Sequence, residues 1–135
     1  MNEKKSINTG LLLLRITLGV LMLFHGFSKL MHGVEGIVGH ISNIGLPGFL
    51  GYCVYIGEIV APILIVIGFR TRLAALIFAF NMLVAALLSH SNSIFALSRT
   101  GAWALELIGL YFFGALTLFF TGAGNFAVST KSWWD

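Results

Sequence analysis

The sequence predicts an all-α membrane protein, a bundle of four transmembrane helices with a short interfacial helix between the first two. Three observations carry this. The 135 residues are 58% hydrophobic and only 10% charged, whereas a soluble domain carries about 25% charged residues. In water so few charges would leave a largely apolar surface, and the mean hydropathy is +0.95. Four apolar runs, at about 11–31, 51–69, 73–89 and 102–121, each approach the ~20 residues that a span requires. Together they account for residues 1–135 as one four-helix domain without an obvious repeat.

The elements follow in order. "MNEKK" before "LLLLRITLGVLML" resembles a signal peptide, but no small-residue cleavage site follows, so this run is expected to stay as helix one. After it, Val34, Ile37, Val38, Ile41 and Ile44 form one apolar face opposite Glu35, His40, Ser42 and Asn43. That pattern predicts a short helix lying in the interface, weakened by Gly33, Gly36 and Gly39. The turn cluster "GLPG" at 45–48 leads into helix two. "RTR" at 70–72 is too polar to cross and separates helices two and three, and "SHSNSIFALSRTG" at 89–101 separates three and four. Cys53 is the one cysteine. It excludes an intrachain disulfide and dithiol exchange within the chain, and is expected to pack between helices as a small hydrophobe.

Charge sets the orientation. With four spans, Lys4, Lys5, Arg70, Arg72 and Lys131 share one side, against Arg99 and Lys29 on the other. An excess of Lys and Arg marks the cytoplasmic face, so both termini are expected there, with Trp133 and Trp134 as interfacial anchors. The net charge of +3 is spread along the chain and gives no nucleic-acid footprint.

This orientation brings ionisable residues to one layer near the outer face. His25, Lys29 and His32 lie at the outer end of helix one, at helical spacing. Glu58 is about two turns into helix two, His90 ends helix three and Glu106 is about one turn into helix four. Lys29 and the histidines are expected to meet Glu58 and Glu106; Lys29–Glu58 and Lys29–Glu106 remain alternatives, because the helix order is not legible. Intramembrane charges mark a site by default, and helix-to-helix glue is the competing reading. Pro62 lacks the N–H that would bond the carbonyl of Glu58, so a kink with a free acceptor is expected beside the carboxylate, with Tyr55 one turn away. Gly19 and Gly26 flank the polar stripe and allow a close helix neighbour. Arg15, about 21 Å from Lys29 along the axis, is expected to snorkel to the headgroups or pair with lipid phosphate.

These residues, in this order, resemble the DoxX-like small bacterial membrane proteins. The resemblance runs through "LRITLGVLMLFHGFSKL", "GLPGFLGYCVYIGEIVAPILIVIGFRTRLAAL", "NMLVAALLSH" and "ALELIGLYFFGALTLFFTGAGNF", over about residues 8–127. It implies a four-helix protein of the bacterial inner membrane. Namesake relatives are a subunit of a thiosulfate:quinone oxidoreductase, and others are linked to quinone, oxidative stress or thiol redox complexes. The residues it carries over are His25, Lys29, Glu58, His90 and Glu106, with Arg70 and Arg72 at the turn. The family's ending, Gly-x-Gly followed by an aromatic-Ser-Leu-Asp run, appears here as "GAGNFAVSTKSWWD". Its acid is missing at the expected place, so no role is assigned there.

The leading expectation is a quinone-interacting subunit of an oxidoreductase. His and Glu would bind the quinone and relay protons, with Tyr55 and Pro62 lining the pocket. The chain carries no flavin, nucleotide or metal signature, so a protein partner is expected to supply electrons. A carboxylate-bridged metal site is disfavoured, because Glu-x-x-His spacing is missing and Lys29 would repel a cation. The alternative is a membrane anchor, assembly partner or small-solute transporter whose charges are structural. A homo-oligomer is left open.

Overall fold

A computed structural model of the chain describes residues 2–89 and 95–135. It is all-helical among the described residues, apart from one isolated bridge between Leu97 and Trp103. Helix α1 runs Glu3–His32, α2 Glu35–Asn43, α3 Ala61–Ile67, α4 Thr71–Ser89 and α5 Glu106–Thr121. Three stretches are long and apolar enough to cross a membrane: Glu3–His32, Gly48–Ile67 and Thr71–Leu88. Helix α5 is apolar but has 16 residues, about 24 Å at ~1.5 Å per residue.

The first and last helices start away from the expected boundaries. Helix α1 starts eight residues before the apolar run, because Asn2 caps it through a bond from the Lys5 N–H and Glu3 sits in its first turn, where a negative charge suits the helix dipole. Helix α5 starts at Glu106 rather than at 102, since residues 97–104 are held in a hairpin-like turn by Ser98 N–H to Ala102 O and Ala104 N–H to Ala96 O. The amphipathic segment does form α2. It buries Ile41, and Val38 packs on the 3-10 helix Gly48–Cys53 at Gly48 and Gly51.

The span before α3 is not a regular α-helix. A 3-10 helix at Gly48–Cys53 gives way to a π-helical turn at Ile56–Val60, closed by the Ala61 N–H on the carbonyl of Ile56. Pro62 is the second residue of α3. A proline cannot supply the N–H of a regular α-helix, and a π turn is one way a helix absorbs that loss. Helix α1 packs on α3 and the π turn, α3 on α4, α4 on α5, and α5 returns to α1. The core between them holds Leu18, Met22, Ile65, Phe78, Met82 and Tyr111. Large apolar side chains such as Phe24, Phe80 and Phe120 point outward, as suits contact with lipid. Cys53 is exposed, contrary to the packing role expected of it: the 3-10 helix turns it away from the neighbouring helices.

Candidate functional site

The stripe of α1 that faces the bundle runs through Arg15, Leu18, Gly19, Met22 and Gly26, and Lys29 continues it. Lys29 Nζ lies 2.5 Å from Glu58 Oε1; the carboxyl side chain is 4% exposed and the lysine 31%. Of the two pairings open from the sequence, the structure makes this one. The pair forms because Gly26 lets the helices touch. A Cβ on Gly26 would overlap the carbonyl of Glu58, so the acceptor that Pro62 cannot serve lies against the α1 backbone. Two turns lower, Gly19 likewise admits a close neighbour, lying against Pro62 O and Val66. Tyr55 adds a hydroxyl bond to the carbonyl of Lys29 at 3.1 Å.

Other expected site residues lie apart from this pair. The His25 ring is exposed on α1 but meets Tyr111 edge-on, with centroids 6.0 Å apart. Tyr111 in turn touches Phe78 of α4, at 5.8 Å. His32 bonds back to the carbonyl of Ser28 at 2.9 Å. Glu106 is exposed and makes no ion pair with Lys29, since it opens α5 instead of lying a turn inside it. It borders a separate cavity of about 350 Å³ with Ser98, Trp103 and Leu107. His90 lies outside the described residues.

The middle of α1 overturns an expectation. Arg15 is 1% exposed and does not snorkel. Its guanidinium donates to the carbonyls of Ile65, Val66, Ala123 and Phe126, at 2.9, 2.9, 3.1 and 2.6 Å. The physical reason is the end of α3. Gly68 takes a left-handed conformation and stops the helix, leaving last-turn carbonyls without helical partners and with partial negative charge. A planar fork of five donors suits several carbonyls at once.

The chain belongs to the DoxX family. Its family model matches residues 10–91. The inner membrane protein YqjF of Escherichia coli is 31% identical over 133 residues, which cover 96% of this chain and 99% of that one. CatD of Bacillus subtilis, named a putative oxidoreductase, is 35% identical over 79 residues, and the inner membrane protein YphA of Escherichia coli is 35% identical over 82. The matched part spans 58% of the length of each of these two relatives. No solved structure matches the chain. As a DoxX-family protein with apolar spanning helices and relatives of this kind, the chain is a membrane protein of the bacterial inner membrane, in contact with lipid.

In this DoxX-family chain the structure adds three residues to those read from the sequence as a site. Arg15 is one. Asp135 is the second: its carboxylate accepts from the Arg70 N–H, from Ser129 Oγ and from the Ser132 N–H, and is 3.4 Å from the Arg70 guanidinium. The Ser129 hydrogen bond, then those backbone bonds and the Arg70 charge, hold its carboxyl below the usual aspartate range. Arg70 sits at φ 49°, a left-handed conformation costing about 1–2 kcal/mol, and Asp135 fixes it there. The Trp134 carbonyl accepts from Arg72 and Leu73 N–H, so the segment 132–135 closes the start of α4. Beside it lies a cavity of about 390 Å³ bordered by Arg72, Gly122, Asn125, Trp133 and Asp135. The third is Asn81 of α4. Among the described residues its buried Nδ2 has no hydrogen-bond partner, a cost of about 1–3 kcal/mol. The signal that could have found it is an amide in the middle of an apolar helix.

Proposed function

We propose that this DoxX-family protein crosses the inner membrane four times with both termini in the cytoplasm, and that the layer around Lys29 and Glu58 binds a quinone as the membrane subunit of an oxidoreductase. The charge distribution supports the orientation, with Arg70, Arg72 and Lys131 on the cytoplasmic side and Lys29 and Glu58 toward the outer leaflet. Helix α5 is short, and the hairpin-like turn before it extends its path.

The observation that carries the site is the ion pair itself, a carboxylate held on a π-helical turn at membrane depth. Such turns occur frequently at functional sites, and charges in spans mark them. The donor set fits a quinone. The Lys29 ammonium can hold a carbonyl oxygen, the Glu58 carboxyl can carry a proton to or from it, and the exposed His25 ring, four residues before Lys29 on α1, offers a flat face to a ring. The quinone, when bound, supplies the two-electron chemistry; electrons come from a partner protein. The naming of CatD as a putative oxidoreductase agrees with this reading. A second reading, structural glue, is favoured by the closure of the pair upon itself and by the Tyr55 bond beside it.

Mass spectrometry of lipid-soluble molecules purified with the protein decides between them. A quinone near one per chain in the wild type, lost in Glu58→Gln and in Glu58→Gln with His25→Ala, is the expected result. No quinone in a folded wild type leaves the structural reading.

A further inference from the structure

From the cavity where α4 begins and α5 ends we infer that the protein holds the phosphate of an anionic phospholipid on Arg72. The inference is independent of the quinone reading and needs only that these helices lie in the membrane. Arg72 is the second residue of α4. It donates from Nη1 alone, to the carbonyls of Phe119 and Phe120 at 3.1 and 3.0 Å, and those bonds fix the guanidinium against the last turn of α5. The other edge of the group, Nε and Nη2, has no partner among the described residues. Gly122 keeps that edge open. A Cβ there would lie 3.2 Å from Nη2 and 3.4 Å from Nε. Two parallel N–H groups on one edge of a guanidinium are suited to two oxygens of a phosphate.

Arg72 and Gly122 both border the cavity of about 390 Å³, within the ~300–1,000 Å³ of small-ligand sites. Asn125, Thr130 and Ser132 border it too, and their amide and hydroxyls can bond phosphate and headgroup oxygens. The acid on the rim is already answered. The Asp135 carboxylate accepts from the Arg70 N–H, Ser129 Oγ and the Ser132 N–H and faces the Arg70 guanidinium, and its main-chain oxygen accepts from the Ala123 N–H. Arg72 has no carboxylate partner of its own among the described residues. Two more cations stand near: Lys131 is exposed between Thr130 and Ser132, and Lys4 lies one turn before Asn8, whose side chain accepts the Asn125 N–H. Place favours a lipid over a soluble phosphate. α4 starts and α5 stops here, so the cavity lies where the helices meet the headgroups. Trp133 on its border is exposed, as suits a ring at that level. Phe120, exposed on α5, leads from the cavity along the path of an acyl chain. Basic pockets between spanning helices hold acidic headgroups.

The test uses the full-length protein in detergent, as wild type, Arg72→Gln, Thr130→Phe and Lys131→Gln, with Tm as the check of folding. Native mass spectrometry reads the lipid retained from an equimolar mixture of phosphatidylglycerol and phosphatidylcholine. The wild type is expected to retain one phosphatidylglycerol per chain in preference to phosphatidylcholine, whose ammonium offsets the phosphate charge and cannot bond the amide and hydroxyls. Arg72→Gln is expected to lose about tenfold in affinity, as for one charged hydrogen-bonded contact. Thr130→Phe fills the cavity from an exposed position, leaves the Arg72 bonds in place and is expected to lose as much; it decides the matter if Arg72→Gln unfolds. Lys131→Gln is expected to lose less than either. Wild-type retention in a folded Thr130→Phe, equal retention of the two lipids, or a loss in Lys131→Gln as large as in Arg72→Gln overturns the site, the last because it marks binding by surface charge alone. A wild-type Tm that rises with inorganic phosphate and not with phosphatidylglycerol assigns the cavity to a soluble phosphate and overturns the lipid.

Discussion

Helix α1 carries two cations on one face, fourteen residues apart, and the protein answers them in opposite ways. Lys29 meets a carboxylate, at an end where it stays 31% exposed. Arg15 meets four carbonyls and no carboxylate, and is 1% exposed. The first arrangement joins two side chains of different segments, an ammonium and a carboxyl. The second joins one side chain to the backbone, through a guanidinium that stays protonated in proteins. The Lys29 pair is the one the proposed site would use, while Arg15, midway along α1, holds α1, the end of α3 and the segment after α5 together.

The contrast breaks most visibly at Arg15. Arg15→Leu would leave two last-turn carbonyls of α3 and two of residues 123–126 without donors. A buried carbonyl left without a donor costs about 1–3 kcal/mol and four lose theirs together, so a large fall in Tm in detergent is expected. Arg15→Lys keeps the charge but puts three donors on one atom, which cannot reach both carbonyl pairs; an intermediate Tm is expected. A Tm for Arg15→Leu close to wild type would show that the guanidinium is not what joins these segments.

At the Lys29 pair the expected effect is smaller and coupled. Glu58→Gln and Lys29→Met should each cost about 1.5–3 kcal/mol, the worth of a hydrogen bond to a charged group. The double variant should recover much of the loss, because neither charge is then left alone. Additive losses would mean that the two side chains act separately, and the comparison with Arg15 would lose its basis.

The two sites also differ in how far they can be read from the sequence. Lys29 and Glu58 stand out because charges are rare in apolar runs, but depth alone left Glu106 as an equal partner, and only the structure pairs Lys29 with Glu58. The contact that brings them together is partly legible, since Gly19 and Gly26 announce a close neighbour on α1. The Arg15 site is not. Its partners are backbone carbonyls of Ile65, Val66, Ala123 and Phe126, and a carbonyl has no letter in the sequence. Only the Gly68 stop hints at orphan acceptors nearby. Glu106 is misplaced by hydropathy for a related reason. Apolar character continues from Ala102 to Thr121, but backbone bonds in the preceding turn, which hydropathy does not encode, delay the start of α5. Asn81 is legible only as a lone amide in an apolar run, which marks its position and says nothing of what it packs on.

The smallest expected effect concerns the acid that the family pattern left unplaced. Asp135 is buried and keeps Arg70 in its left-handed turn, on the same side of the bundle as Arg15. Its carboxyl titrates below the usual aspartate value, first because of the Ser129 hydroxyl, then through the Ser132 and Arg70 N–H groups and the Arg70 charge. A carboxyl whose folded pKa is depressed binds its proton more readily in the unfolded chain. Its contribution to stability is therefore full above the unfolded value and falls away as pH drops through the folded one. Between pH 8 and 5 the Tm of wild type minus that of Asp135→Asn should be constant, and below about pH 4 it should shrink. A difference that stayed constant down to about pH 3 would show that the charge of the Asp135 carboxylate is not what holds the Arg70 turn.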